Sequence, residues 1–224
     1  PTMLQNKPDT NAVPIADATP LDYLIAWHTR WVREFGIDGF RADTAKHVGL
    51  SEWSRLKDAA VEALQEWKAA NPDAALDDLD FWMVAEAFPP LNDPRSAYFA
   101  NGFDAMLNFN FQENDNAVNW LRDLDQLLAH YDRLATQVAP RAPNELTYAS
   151  SHDTDMFVAQ SDEDADLQFR LAESLLMNPG AVQIYSGDES GRLPGASNDD
   201  RTNPLRSDMN WDEVDGDGQS LVEH

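Results

Sequence analysis

The stretch Ile37-Asp38-Gly39-Phe40-Arg41-Ala42-Asp43-Thr44-Ala45-Lys46-His47 decides how this chain is read. Its first part, Ile37 to Thr44, reads as a short buried strand that follows a break at Gly36. A second run, Phe81-Trp82-Met83-Val84-Ala85, is continuously apolar, which predicts a strand covered on both faces. Both strands run straight into acids, Asp43 in one and Glu86 in the other. A carboxylate at the end of a buried strand is costly unless it is paired. Arg41 stands two residues before Asp43. Side chains two apart on a strand point the same way, so Arg41 can hold Asp43 ionised.

The pattern repeats on either side. Thr19-Pro20 offers an N-cap followed by Pro at the first helical position. Leu21, Leu24, Ile25, His28, Trp31, Val32 and Phe35 follow at helical spacing up to Gly36. Ser51 caps a second predicted helix, with Trp53, Leu56, Ala60, Leu64 and Trp67 on one face. The three Trp at 53, 67 and 82 lie in periodic or strand patterns and read as core. Further strands are predicted over Asp104–Phe109, Leu146–Ala149 and Ala181–Tyr185, and further helices over Asn116–Thr136 and Asp164–Met177. In the first of these two helices, Val118, Leu121, Leu124, Leu128 and Tyr131 are expected to point inward. Residues 1–18 and 187–220 read as loop. Strands separated by helices imply a parallel sheet with right-handed crossovers, either doubly wound or closed as a barrel. No Gly-rich phosphate loop follows any strand, which weakens the nucleotide-binding option.

Composition narrows the class. The 224 residues are 42% hydrophobic, enough for one sizeable core. Forty Asp and Glu stand against 16 Lys and Arg, a formal charge of −24. Such a field repels phosphate backbones and anionic lipid, so neither nucleic acid nor a membrane surface is an expected partner. The acidic, Lys-poor surface reads as a solvated acidic face, with adaptation to salt as the alternative. Absence of Cys excludes a disulfide framework, thiolate metal sites and a Cys nucleophile.

In parallel α/β folds, sites form at the C-terminal ends of strands. Asp43, Glu86 and, in Ser151-His152-Asp153-Thr154, Asp153 stand at three such ends. An ionised Asp beside a second carboxyl is the minimal set for retaining glycoside hydrolysis: one attacks the anomeric carbon, the other protonates the leaving oxygen and then activates water. Glu86 follows a strongly apolar strand, whose desolvation favours a protonated acid. His152 and Asp153 would add hydrogen bonds to sugar hydroxyls. Each feature also has a plainer reading. Arg41 and Asp43 could be a structural ion pair, Glu86 a surface acid, His152-Asp153 a helix cap, and Lys46 and His47 ordinary rim residues.

Taken in order, these stretches resemble the α-amylase family, glycoside hydrolase family 13. Gly39 to His47 resembles its second conserved region, Val84-Ala85-Glu86-Ala87-Phe88 its third and Ser151 to Thr154 its fourth. Phe103 to Met106, Gly180 to Glu189 and Arg206 to Trp211 are further similar stretches. The resemblance implies a (β/α)₈ TIM-barrel and hydrolysis of internal α-1,4 bonds of starch, glycogen or maltodextrins. It implies Asp43 as nucleophile, Glu86 as acid/base and Asp153 as the carboxylate that binds sugar hydroxyls and stabilises the transition state. Arg41 would orient Asp43, His152 would contact the sugar, and Lys46 and His47 would line the leaving-group side. The His47 carbonyl would be a calcium ligand, and the expected location is the periplasm or the cell exterior. A transglycosylase or branching enzyme with the same trio, or an inactive barrel fragment, are the alternatives.

The family's first region and its upstream calcium-binding Asp are not found in this sequence. Residues 1–18 are therefore expected to be the tail of domain B, and 19–224 the C-terminal part of the barrel, about strands four to eight. The expected partners are an α-glucan and the remainder of the barrel, or self-association through open sheet edges.

Overall fold

A computed structural model describes residues 14–112, 116–138, 144–177, 180–195 and 204–214. The chain divides into two compact units, Pro1–Asp104 and Ala105–His224. In both, parallel strands alternate with helices. This α/β arrangement is the one expected of a segment of a (β/α)₈ barrel.

In the first unit, α1 (Pro20–Phe35) leads into β1 (Gly39–Ala42), a 3₁₀ turn (Ala45–His47), α2 (Leu50–Ala70), β2 (Trp82–Ala85) and α3 (Arg95–Ala100). The expected start of α1 is present. Asp22 Oδ2 accepts hydrogen bonds from the Thr19 amide and hydroxyl, both at 2.7 Å. With Arg55 also bonded to Asp22, these donors hold its carboxyl down at about 2. Gly36 ends α1 with φ +65°, and its amide donates to Val32 O at 2.9 Å. A Cβ there would run into the Trp67 ring, so close packing of α1 on α2 needs Gly as much as the backbone does.

The buried face of α1 differs from the expected one. Tyr23, Thr29 and Val32 are buried, whereas Leu24, Trp31 and Phe35 are exposed. The apolar stripe is wider than the surface that α2 covers. Thr29 is tolerated inside because its hydroxyl donates to Ile25 O at 2.8 Å. α2 begins one residue before Ser51, with Gly49 at the cap. Ser51 instead bonds to its neighbour Glu52 at 3.3 Å. Leu56, Ala60 and Leu64 of the predicted face are buried, with Trp53 and Trp67 half-buried beside them. β1 and β2 pair in parallel with Gly39 opposite Trp82 and Ala42 opposite Ala85. Lys57, from α2, reaches Phe81 O and Asp104 Oδ2, and the same oxygen accepts from the Met83 amide at 2.7 Å. That clamp fixes where β2 starts.

The second unit contains β3 (Ala105–Asn108), α4 (Phe109–Gln112), α5 (Asn116–Arg122), α6 (Leu124–Val138), β4 (Glu145–Thr147), α7 (Phe157–Gln160), α8 (Ala165–Met177), β5 (Ala181–Val182) and α9 (Trp211–Val214). β3 pairs with β4, and β4 with β5, all in parallel. The single helix expected over 116–136 is two. Asp123 breaks it, because its carboxylate accepts from the Asp125 amide at 3.1 Å and from the Gln126 side chain at 2.8 Å. The break re-aims the second half. Trp120, Leu127 and His130 are buried, while Leu124 and Leu128, expected inside, are exposed. Asp164, expected as the first residue of this helix, instead precedes and caps α8, its Oδ1 accepting from the Asp166 and Leu167 amides. β5 is shorter than predicted, and two short helical segments, a 3₁₀ turn (Pro204–Arg206) and α9, interrupt the loop expected over 187–220. The rest of that loop at 196–203 and 215–220, and residues 1–13 of the expected N-terminal loop, lie outside the described residues.

Candidate active site

Asp43 follows β1 directly, and Arg41 on that strand reaches it as predicted: Nη1 lies 3.0 Å from Oδ2. The Arg41 side chain is the more buried of the two, at 32% against 67% exposed. Both partners therefore reach solvent, the carboxylate more than the guanidinium. Beyond it, Thr44 holds a left-handed backbone, φ 47° and ψ 39°. A Thr in that region is uncommon, and such backbone concentrates at functional sites.

Glu86 is tied to this turn three times. Its amide donates to Ala42 O at 2.8 Å, and its carbonyl accepts from the Ala45 amide at 2.8 Å. Its carboxylate Oε2 accepts from the Thr44 amide at 2.6 Å. The Thr44 conformation therefore aims an N–H at Glu86, and the Glu86 carboxylate is brought onto the peptide that follows Asp43. Trp53 of α2 supports the turn from behind, donating its indole N–H to Ala45 O at 3.0 Å.

Lys46 bends toward the segment after β2. Its Nζ donates to Phe88 O at 2.8 Å and Pro90 O at 3.3 Å, and Asn92 donates to Lys46 O at 2.7 Å. The expected sugar-facing Lys is thus also a strap between the two strand-end loops. His47 is exposed at the end of the 3₁₀ turn. Among the described residues no group of three or more His, Asp or Glu is placed to hold a metal ion. A single carbonyl at His47 falls far short of the 6–8 oxygens that calcium takes, so the described residues do not fit a calcium site on their own.

In the second unit, Asp153 has partners on both oxygens. His152 Nε2 lies 2.9 Å from Oδ2, and Arg206 Nη2 donates to Oδ1 at 2.8 Å. Arg206 also donates to the His152 carbonyl, at 3.3 Å. The loop is shaped by serines: Ser151 Oγ accepts from the Asp153 amide at 3.1 Å, and Ser150 Oγ accepts from the Phe157 amide at 2.9 Å. Asp188 is bonded to Ser150 and accepts from the Tyr185 amide at 3.2 Å. Burial pushes its carboxyl up to about 6, against the lowering effect of those two donors.

Nothing in the sequence pattern assigns a role to Arg206, Asp188 or Arg192. Arg206 heads one of the stretches similar to the α-amylase family, so its partner was within reach. Asp188 lies likewise in the similar stretch Gly180 to Glu189, whereas Arg192 stands in an aperiodic loop where no pattern marks a buried charge.

In the first unit Asp43 and Glu86 directly follow the parallel strands β1 and β2, and in the second unit Asp153 lies in the loop after β4. Residues 19–219 match the family described as "Alpha amylase, catalytic domain", and the chain belongs to that family. The whole chain is 46% identical to the periplasmic alpha-amylase of Escherichia coli strain K12 and spans 31% of that protein. It is 29% identical over 85% of its length to an alpha-amylase of Streptomyces lividans, of which it spans 21%. Among solved structures, an Anoxybacillus alpha-amylase superposes with a TM-score of 0.65 at 23% identity, over 91% of this chain and 42% of that one. The chain thus spans about a third or less of these curated relatives. Among the described residues no helix is long and apolar enough to cross a membrane.

Proposed function

We propose that this chain carries the catalytic carboxylates of a retaining α-glucan hydrolase that cleaves internal α-1,4 bonds. The observation that carries the reading is the Glu86 carboxylate bonded to the Thr44 amide, one peptide from an Asp43 that Arg41 already holds. Asp43 attacks the anomeric carbon while Glu86 protonates the departing glycosidic oxygen. Glu86 then takes a proton from water as it opens the glycosyl–Asp43 bond. Thr44 occupies Oε2, so the transferable proton belongs on Oε1. Asp153 and His152 bind sugar hydroxyls, and Lys46 and His47 line the leaving-group side. The remainder of a barrel is the partner that would complete the substrate cleft. Calcium, if it is held, takes the His47 carbonyl as one ligand among others supplied from outside the described residues. The location proposed is the periplasm or cell exterior, after the Escherichia coli relative.

The test is turnover of soluble starch by this chain, alone and mixed with a partner supplying the rest of the barrel, with and without calcium. Asp43→Asn keeps the shape and an acceptor for Arg41 but removes the anion. It should fold normally and lose all turnover. Starch hydrolysis by that variant at the parent rate would remove Asp43 from the mechanism.

A further inference from the structure

Arg192 is only 2% exposed. A guanidinium taken out of water is costly unless its donors are satisfied. Here Nε and Nη2 donate to Ser186 O at 3.1 and 2.9 Å. Nη1 donates to Ser207 O at 3.1 Å and to the Ser207 hydroxyl, and Nη2 reaches Leu205 O at 3.3 Å. The guanidinium carbon lies 5.5 Å from the centre of the Tyr185 ring, and the Tyr185 hydroxyl donates to the same Leu205 carbonyl at 2.7 Å. A planar fork of five donors reaches all three carbonyls and the hydroxyl from fixed directions, whereas a Lys ammonium offers three donors on a single atom.

The two residues it grips at the far end, Leu205 and Ser207, are those on either side of Arg206. Arg206 itself is half exposed. An exposed ion pair normally contributes little, because two long side chains must be ordered to make it. Fixing the backbone on both sides of Arg206 removes part of that ordering cost in advance.

We propose that Arg192 is a positioning residue that sets Arg206 against Asp153, so that a buried and an exposed guanidinium work as one unit. Arg192 touches no substrate. It fixes the loop from which Arg206 aims the Asp153 carboxylate. The proposal rests on Asp153 being a substrate-facing carboxylate.

The test uses this chain and the variants Arg192→Lys, Ser207→Ala, Arg206→Ala and Arg192→Lys/Arg206→Ala. The first readout is the Arg206 Nε–H signal in nitrogen-15 spectra, assigned by its loss in Arg206→Ala. Arg192→Lys should abolish or strongly shift that signal while the spectrum elsewhere stays dispersed. An unchanged signal overturns the proposal. Should Arg192→Lys collapse the whole spectrum, Ser207→Ala takes its place: it removes one acceptor and leaves the charge. A shifted Arg206 signal then supports the proposal and an unmoved one overturns it. The second readout is kcat and KM on a maltooligosaccharide. Arg192→Lys and Arg206→Ala should each lower kcat/KM about tenfold, and the double variant no further than Arg206→Ala alone. Losses that multiply to about a hundredfold mean that Arg192 acts separately, and overturn the proposal. Failure of the parent chain to turn over any glucan even when mixed with a partner supplying the rest of the barrel sinks the hydrolase reading instead, and the spectra still decide whether Arg192 places Arg206.

Discussion

Glu86 is held by its amide, its carbonyl and its carboxylate to one turn of four residues. That wiring makes an isosteric test clean. Glu86→Gln still offers a carbonyl oxygen to the Thr44 amide, so the turn should survive while the proton donor is lost. General acid–base groups typically contribute about 10²–10⁴-fold. Glu86→Gln should therefore slow maltooligosaccharides most and an activated glycosyl fluoride, whose leaving group needs little protonation, least. Equal losses on both substrates would reduce Glu86 to a binding residue. Asp188 supports a second prediction, on pH. Burial raises its carboxyl to about 6 from 3.8, opposed by the Ser150 and Tyr185 donors and by Arg192, and assisted by Glu189. The folded chain then binds a proton that the unfolded chain has already released. Stability from this group is fully present below about pH 4 and falls as pH rises through about 6, by an amount on the order of 2 to 3 kcal/mol. Asp188→Asn cannot titrate. Its thermal midpoint should lack this part of the decline between pH 4 and 6, and parallel curves for parent and variant would show that Asp188 ionises as freely folded as unfolded. At this scale the sequence was informative where spacing carries meaning. Arg41 and Asp43 meet because strand side chains alternate. The Thr44–Glu86 bond was not legible, because it depends on one left-handed residue.

Elements were legible where apolar periodicity met a real packing surface, and less so where a side chain rewired the backbone. α2 buries Leu56, Ala60 and Leu64 as its pattern predicts. The helix expected over 116–136 breaks because Asp123 satisfies the amide of Asp125, second residue of the next helix, with its own carboxylate, and a local cap outweighs a continuous pattern. α1 shows the opposite limit: its stripe is longer than its contact, so Trp31 and Phe35 stack on each other at 5.3 Å but stay exposed. The α1–α2 contact yields a sharp prediction at Gly36. A side chain there meets two penalties, the left-handed φ and the Trp67 ring. Gly36→Ala should destabilise the chain by about 2 to 4 kcal/mol, measured by urea unfolding. Adding Trp67→Leu should recover the steric part and not the backbone part. A neutral Gly36→Ala would mean that α1 sits further from α2 than described.

At the scale of the whole molecule, net charge governs how the chain responds to salt. Sixteen Lys and Arg can balance only 16 of the 40 carboxylate charges, so an excess of 24 negative charges is left to repel one another. Some pairs are well made, such as Arg30 with Glu34 at 2.5 Å and Arg33 with Glu66 at 2.6 Å, but their side chains are between 40% and 62% exposed. Exposed pairs of this kind typically contribute about 0 to 1 kcal/mol each. Salt therefore acts in two opposed ways: it weakens a few modest attractions and it screens a larger number of repulsions. With a formal charge of −24 the second effect wins. Screening reaches down to about 10 Å at 0.1 M salt and about 3 Å at 1 M, so the gain should continue well past physiological strength. The thermal midpoint of the chain should accordingly rise steadily as sodium chloride is raised from low concentration toward about 1 M. The same screening lets copies approach one another. Light scattering over that series should show association increasing with salt, as apolar strand edges and the Trp31–Phe35 face become accessible to a second copy. A midpoint that stays level or falls would mean that the local pairs outweigh the global repulsion, and that the acidic surface is neutral in its effect on folding.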